Sequence, residues 1–144
     1  MSTTIRAEIS KKGKYYISKH RYYELKHFCL QYDEWKETLE SLTPVRSLSI
    51  DISIGGDYTG DKTGDIAVRR AMMRSHMEMV EQAAIGADPD IYSYILRCVT
   101  CGISYDKMVA SGIPCSRDYF YDRYRKFFWI LDGIRDFIPT YSGK

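Results

Sequence analysis

Between Ser116 and Ile134 one set of large apolar side chains, Phe120, Tyr124, Phe127, Leu131 and Ile134, recurs in steps of 4, 3, 4 and 3 residues. That spacing returns to one side of an α-helix at every turn, whereas a strand would need alternation. A helix carrying such a stripe requires other elements to cover it. The same period recurs upstream. Leu25, Phe28, Tyr32, Trp35, Leu39 and Leu42 follow in steps of 3, 4, 3, 4 and 3. Ser18 is placed to cap that segment and Pro44 to end it. A break near Asp33 would divide it into two shorter helices. A further helix is predicted over 65–87, with Ile66, Met73, Met77, Val80 and Ala84 on one face, packed antiparallel to the first as a hairpin.

The remaining punctuation is helical too. Asp88-Pro89-Asp90 puts an acid at the cap and proline at the first helical position. The helix that follows turns Ile91, Ile95, Cys98 and Val99 inward and stops at Gly102. Ser104 caps a short helix through Ser111, with Met108 and Val109 inward. Gly112-Ile113-Pro114 makes a turn, and Ser116 caps the last helix. Two segments depart from this period. Leu48, Ile50, Ile52 and Ile54 alternate with polar residues as in a short strand, with a weaker echo from Thr4 to Ile9. GGDYTGDKTGD, residues 55–65, has the composition of an exposed loop. The expected fold is therefore all-α, a helical hairpin plus a C-terminal helix-turn-helix, with room for a short strand or ribbon at 48–54. Residues 1–87 would supply a basic arm, long helices and the Gly/Asp loop for oligomerisation; residues 88–144 would form the helix-turn-helix region.

A chain of 144 residues can bury a core without disulfides or metal. Thirteen tyrosines argue against disorder. The net charge of +2 excludes coating of nucleic acid by bulk charge, but its distribution is uneven. Residues 1–46 hold nine Lys/Arg against six Asp/Glu, residues 47–96 four against eight, and residues 97–144 eight against five. Both ends suit a polyanion and the middle does not. The first twenty residues contain no apolar run, and no stretch is apolar enough for a membrane helix, so a cytoplasmic location is expected. In that setting Cys29, Cys98, Cys101 and Cys115 are expected as reduced thiols.

The candidate interface follows from the last helix. With Phe120, Tyr124 and Phe127 inward, Ser116, Arg117, Tyr119, Tyr121, Arg123, Arg125 and Lys126 fall outward. Arginine forks onto guanine or clamps phosphate, while tyrosine hydroxyls and a helix N-terminus suit phosphate oxygens. Lys12, Lys14, Lys19 and Arg21 in the N-terminal arm would add electrostatic capture.

Residues 88–131, DPDIYSYILRCVTCGISYDKMVASGIPCSRDYFYDRYRKFFWIL, resemble the C-terminal helix-turn-helix of small regulators from phages and prophages of Gram-positive bacteria. These are the late-gene activators of the RinA and ArpU type, whose C-terminal part is similar to the promoter-reading region of sigma factors. YYISKHRYYELKHFCLQYDEWK and AAIGADPDIYSYI also resemble prophage proteins. The resemblance implies double-stranded DNA as partner, activation of packaging and structural genes, and a homodimer. It puts Gly112 and Ile113 in the turn, Phe120 and Tyr124 in the core of the reading helix, and Arg117, Arg123 and Arg125 on its face. The turn here is longer than the family's and contains Pro114.

Other chemistries fit less well. Cys98-x-x-Cys101 lacks the second close pair that a structural zinc needs. GGDYTGDKT misses a phosphate-binding loop because Asp61 separates Gly60 from Lys62, and it misses a calcium loop because Lys62 and Val68 hold the positions required for Gly and Glu. His20, His27 and His76 pair with no nucleophile by spacing, so no enzyme is expected, and no cofactor or metal. The functional expectation is a sequence-specific DNA-binding phage or prophage transcription regulator acting as a dimer. A DNA-packaging component resembling a small terminase subunit is one alternative. Another is a protein-binding inhibitor of a host enzyme or defence system. Host RNA polymerase or another host protein is a further candidate partner.

Overall fold

The structure, a computed structural model, describes residues 13–42 and 59–137. Six helices make up the described residues, with no strand among them: α1 (Lys19–Leu30), α2 (Tyr32–Leu42), α3 (Thr59–Ala87), α4 (Tyr92–Cys101), α5 (Tyr105–Val109) and α6 (Arg117–Phe137). The protein is all-α. The strand at 48–54, the weaker one from Thr4 to Ile9, and Lys12 lie outside the described residues. No described helix is long and apolar enough to cross a membrane.

The helices begin and end where their caps place them. The Ser18 hydroxyl accepts from the Arg21 N–H at 3.3 Å, Ser104 from Lys107 at 3.4 Å, and Ser116 from Tyr119 at 3.2 Å. Each satisfies a donor that a helix start leaves without a partner. Gly102 closes α4 at φ 72°, a left-handed conformation in which an L side chain would be strained.

Several boundaries differ from expectation. The first seam breaks at Gln31, two residues before Asp33, where the Gln31 N–H donates to Phe28 at 3.2 Å and tightens the last turn. α3 starts at Thr59, so residues 59–65 are helical although their composition suits a loop. Asp88 does not cap α4 directly. Its Oδ1 takes the N–H groups of Asp90 (2.8 Å) and Ile91 (3.3 Å), closing a turn, and α4 follows with Ile91 at its cap position. α5 is only five residues long. In one turn Met108 takes the core and its neighbour Val109 rotates to solvent, 51% exposed rather than inward.

Contacts divide the described residues into two units. In the first, α1 joins the end of α3 (from Met79), α4, α5 and α6, so α1 packs with the C-terminal helices. Its core is aromatic. Tyr22, Phe120, Phe127 and Phe128 are fully buried with Leu25, Ile95, Met108 and Leu131. The ring centroids of Phe128 lie 5.1 Å from Tyr22, 5.0 Å from Tyr124 and 4.9 Å from Phe127, all near edge-to-face, the arrangement ring quadrupoles prefer. Val80, Ala83, Ala84 and Ala87 bury one side of α3. A β-carbon at Gly86 would meet Ile130 Cδ1 at 3.3 Å. The second unit comprises α2 and α3 up to Glu78, where Trp35 is buried with its ring 5.1 Å from His76. Ile66, Met73 and Met77 are half-buried.

Candidate nucleic-acid interface

The start of α6 is built by the turn that precedes it. Ser111 and Gly112 return their N–H groups to Met108 and Val109 at 2.8 and 2.9 Å, and Gly112 adopts φ 86°. The Tyr105 hydroxyl then donates to the Cys115 carbonyl at 2.5 Å, fixing the chain just before Ser116. A groove of about 420 Å³ opens beside this corner, lined by Asp88, Asp90, Ile91, Pro114, Cys115, Ser116 and Tyr119.

Of the expected outward residues, Ser116, Arg117, Tyr119 and Arg123 gather at this end of α6, though not as free groups. Arg117 Nη1 contacts both Asp106 carboxylate oxygens, at 3.1 and 3.3 Å, and its guanidinium lies 5.5 Å from the Tyr121 ring centre. Tyr119 is 43% exposed, yet its hydroxyl donates to Asp88 Oδ2. Arg123 covers the Tyr119 ring at 5.1 Å and pairs with Asp122 at 3.0 Å. Arg125 and Lys126 are half-buried and make no ion pair with a described residue.

Tyr121 is a correction. It is 9% exposed, packs edge-on against Phe120 and Tyr124, and its hydroxyl accepts the Tyr105 N–H at 3.4 Å. α6 is covered on more than one side, so its buried face is wider than the narrow seam expected, and Tyr121 and Phe128 both fall within it.

The N-terminal candidates do not converge on the same place. Arg21 reaches Asp132 with Nε at 2.5 Å, Asp136 with Nη2 at 2.8 Å and Glu24 with Nη1 at 3.1 Å. Those aspartates are near the other end of α6, about 24 Å and about 30 Å of helix from Ser116. Arg21 is thus a structural tie between α1 and α6. Lys14 lies 5.2 Å from the Tyr15 ring centre, and Lys19 is exposed at the start of α1.

The residues missed by sequence reasoning are acids. Burial alone would raise the Asp88 carboxyl. The Tyr119 hydroxyl, the two N–H groups of Asp90 and Ile91 and the charge of Arg123 outweigh it and hold the group below the ordinary carboxylate range. The same bond raises the Tyr119 phenol, because the carboxylate favours its protonated form. The signal for Asp88 was the Asp-Pro pair itself, legible as a cap; its second partner, 31 residues away, has no local signature.

The thiols are mostly withdrawn. Burial pushes Cys98 up to about 12 and raises Cys29 further, so neither supplies a thiolate near neutrality. Among the described residues no three His, Cys, Asp or Glu side chains come together to hold a metal. Comparison with protein-family models, curated proteins and solved structures finds no match to this chain.

Proposed function

We propose that the chain is a sequence-specific DNA-binding transcription regulator of phage or prophage type, acting as a dimer. The observation that supports this most is the exposed, Ser116-capped start of a 21-residue helix that follows a short helix and a glycine turn. This arrangement can present backbone N–H groups and the first side chains of α6 to a groove. Arg125 and Lys126, unpaired among the described residues, would take phosphates farther along. The Arg117–Asp106 pair is 40% and 74% exposed on its two sides, so it contributes little in water and can be exchanged for phosphate.

The test is binding to DNA flanking the chain's own coding sequence across a salt series, with the mass of the free and bound protein measured in solution. Affinity falling steeply with salt and a two-copy complex are expected. A salt-insensitive affinity, or none above that for unrelated DNA, defeats the assignment; a ring of many copies favours the packaging alternative.

One observation favours a second reading, that of a protein-binding inhibitor. Trp129 is 47% exposed on α6 beside a shallow apolar groove formed with Ile130, Gly133 and Ile134, away from the Ser116 end. An exposed tryptophan on a rigid helix suits a protein interface.

A further inference from the structure

We propose that Asp88 is a positioning residue for the first turn of α6, acting through Tyr119 as a latch with Arg123 as its cover. This rests on the DNA-binding reading and assigns to that site the side chain that sets its pose.

Asp88 follows α3 directly, its N–H bonded to the Ala84 carbonyl at 3.2 Å, and it is 6% exposed. Oδ1 closes the turn into α4 by accepting from Asp90 and Ile91, while Oδ2 accepts the Tyr119 hydroxyl from α6. One carboxylate therefore joins the end of α3, the approach to α4 and the start of α6. The need for such a tie follows from what precedes α6. The turn through Gly112, at φ 86°, is tied at the Cys115 carbonyl, before the helix it leads into begins. Phe120, fully buried, anchors the helix axis one residue after Tyr119. The first turn beyond that anchor is held by the Ser116 cap, by the Arg117–Asp106 pair in water, and by the Tyr119–Asp88 bond. Of these, the last reaches a buried acceptor in another element.

The division of labour at the interface follows. The Tyr119 hydroxyl is committed to Asp88, and the Arg123 guanidinium lies over the Tyr119 ring. Neither acts as a reader. Groove contact falls to Arg117 and the α6 N–H groups, and the latch determines where they point.

The test combines amide hydrogen exchange without DNA and a salt series with it, on wild type, Tyr119→Phe, Asp88→Ala and Asp88→Asn. In Tyr119→Phe the amides of Tyr119 and Phe120, which bond to Ser116, should exchange about tenfold faster, and specific DNA affinity should drop about tenfold. The salt slope should stay unchanged, because no cation is removed. Asp88→Ala should do the same and also expose the Asp90 and Ile91 amides. Asp88→Asn, which keeps an accepting oxygen and can donate to the tyrosine oxygen, should recover much of both losses. Unchanged exchange in Tyr119→Phe overturns the latch whatever happens with DNA. Altered exchange with no DNA binding by wild type supports the latch and overturns the DNA reading instead. Should Asp88→Ala fail to fold, Tyr119→Phe still decides the matter, because it removes a single oxygen from a part-exposed side chain.

Discussion

The hydroxyls of Tyr22 and Tyr124 meet at 2.8 Å inside the core, 102 residues apart in the chain. Burial raises the Tyr124 phenol far out of its usual range, so it stays neutral, and one hydroxyl of the pair donates to the other. This pair joins α1 to α6 on the side opposite solvent, as Arg21 joins them at the edge. Removing either hydroxyl takes this bond from the other. Tyr22→Phe or Tyr124→Phe should each cost about 1–3 kcal/mol, while the double variant costs less than the two combined because neither polar atom remains. Urea unfolding of the three variants measures this, and additive losses would show the two hydroxyls to be independent.

Stability should fall at both ends of the pH scale through a single contact. The Asp88 carboxyl sits below its ordinary value of about 3.9, so its contribution is present above that pH and lost as pH drops through the lower folded value. The Tyr119 phenol sits above its ordinary value of about 10, so its contribution is present below that pH and lost as pH climbs through the higher folded value. In Tyr119→Phe the alkaline loss should shrink, with the raised Tyr124 and Cys98 still contributing to it, and the acid loss should shrink as well. Thermal melts across acid and alkaline buffers check it; an alkaline limb unchanged in the variant would assign that limb to other tyrosines.

These contacts also mark how far the sequence could be read. Ser18, Ser104, Ser116 and Gly102 act within three or four residues of themselves, so their roles are legible from neighbours alone. Phe120, Tyr124, Phe127 and Leu131 are buried because a helical period is a local property. Tyr121 escaped because the width of a buried face depends on how many elements cover it, which no period records. Arg21 escaped for the same reason. Its type and its place in a basic run suit a polyanion, yet Asp132 and Asp136, more than a hundred residues on, claim it. Charge read along a chain overstates the free cations of a fold that pairs distant segments.

Ile130 of α6 makes Gly86 of α3 sensitive to size. A β-carbon there stands 3.3 Å from Ile130 Cδ1, the mobile tip of a side chain, so a methyl group can be admitted with a small shift. The helix also gains by losing a glycine, by about 1 kcal/mol. Gly86→Ala should therefore change stability by less than about 1 kcal/mol, whereas Gly86→Val should lose about 1–3 kcal/mol by overpacking. Chemical denaturation distinguishes the two. Equal tolerance of both would mean the helices separate more easily than the contact suggests.

The sharpest contrast is between cations of the same formal charge. Arg125 and Lys126 have no carboxylate partner among the described residues, and Arg21 has three. Each phosphate contact contributes about 0.9 to the slope of log affinity against log salt, because it releases a condensed counterion. Replacing Arg125 and Lys126 together by Ala should lower that slope by about two and leave the unfolding midpoint nearly unchanged, since neither side chain supports the core. Arg21→Ala should do the reverse. It strands the part-buried Asp132 carboxylate, 29% exposed, and should cost about 1 kcal/mol of stability after allowing for solvent screening, with the slope intact. Salt series and denaturation on the same two variants separate the outcomes. A slope that falls with Arg21→Ala and holds without Arg125 and Lys126 would move the DNA-facing surface from α6 to the start of α1.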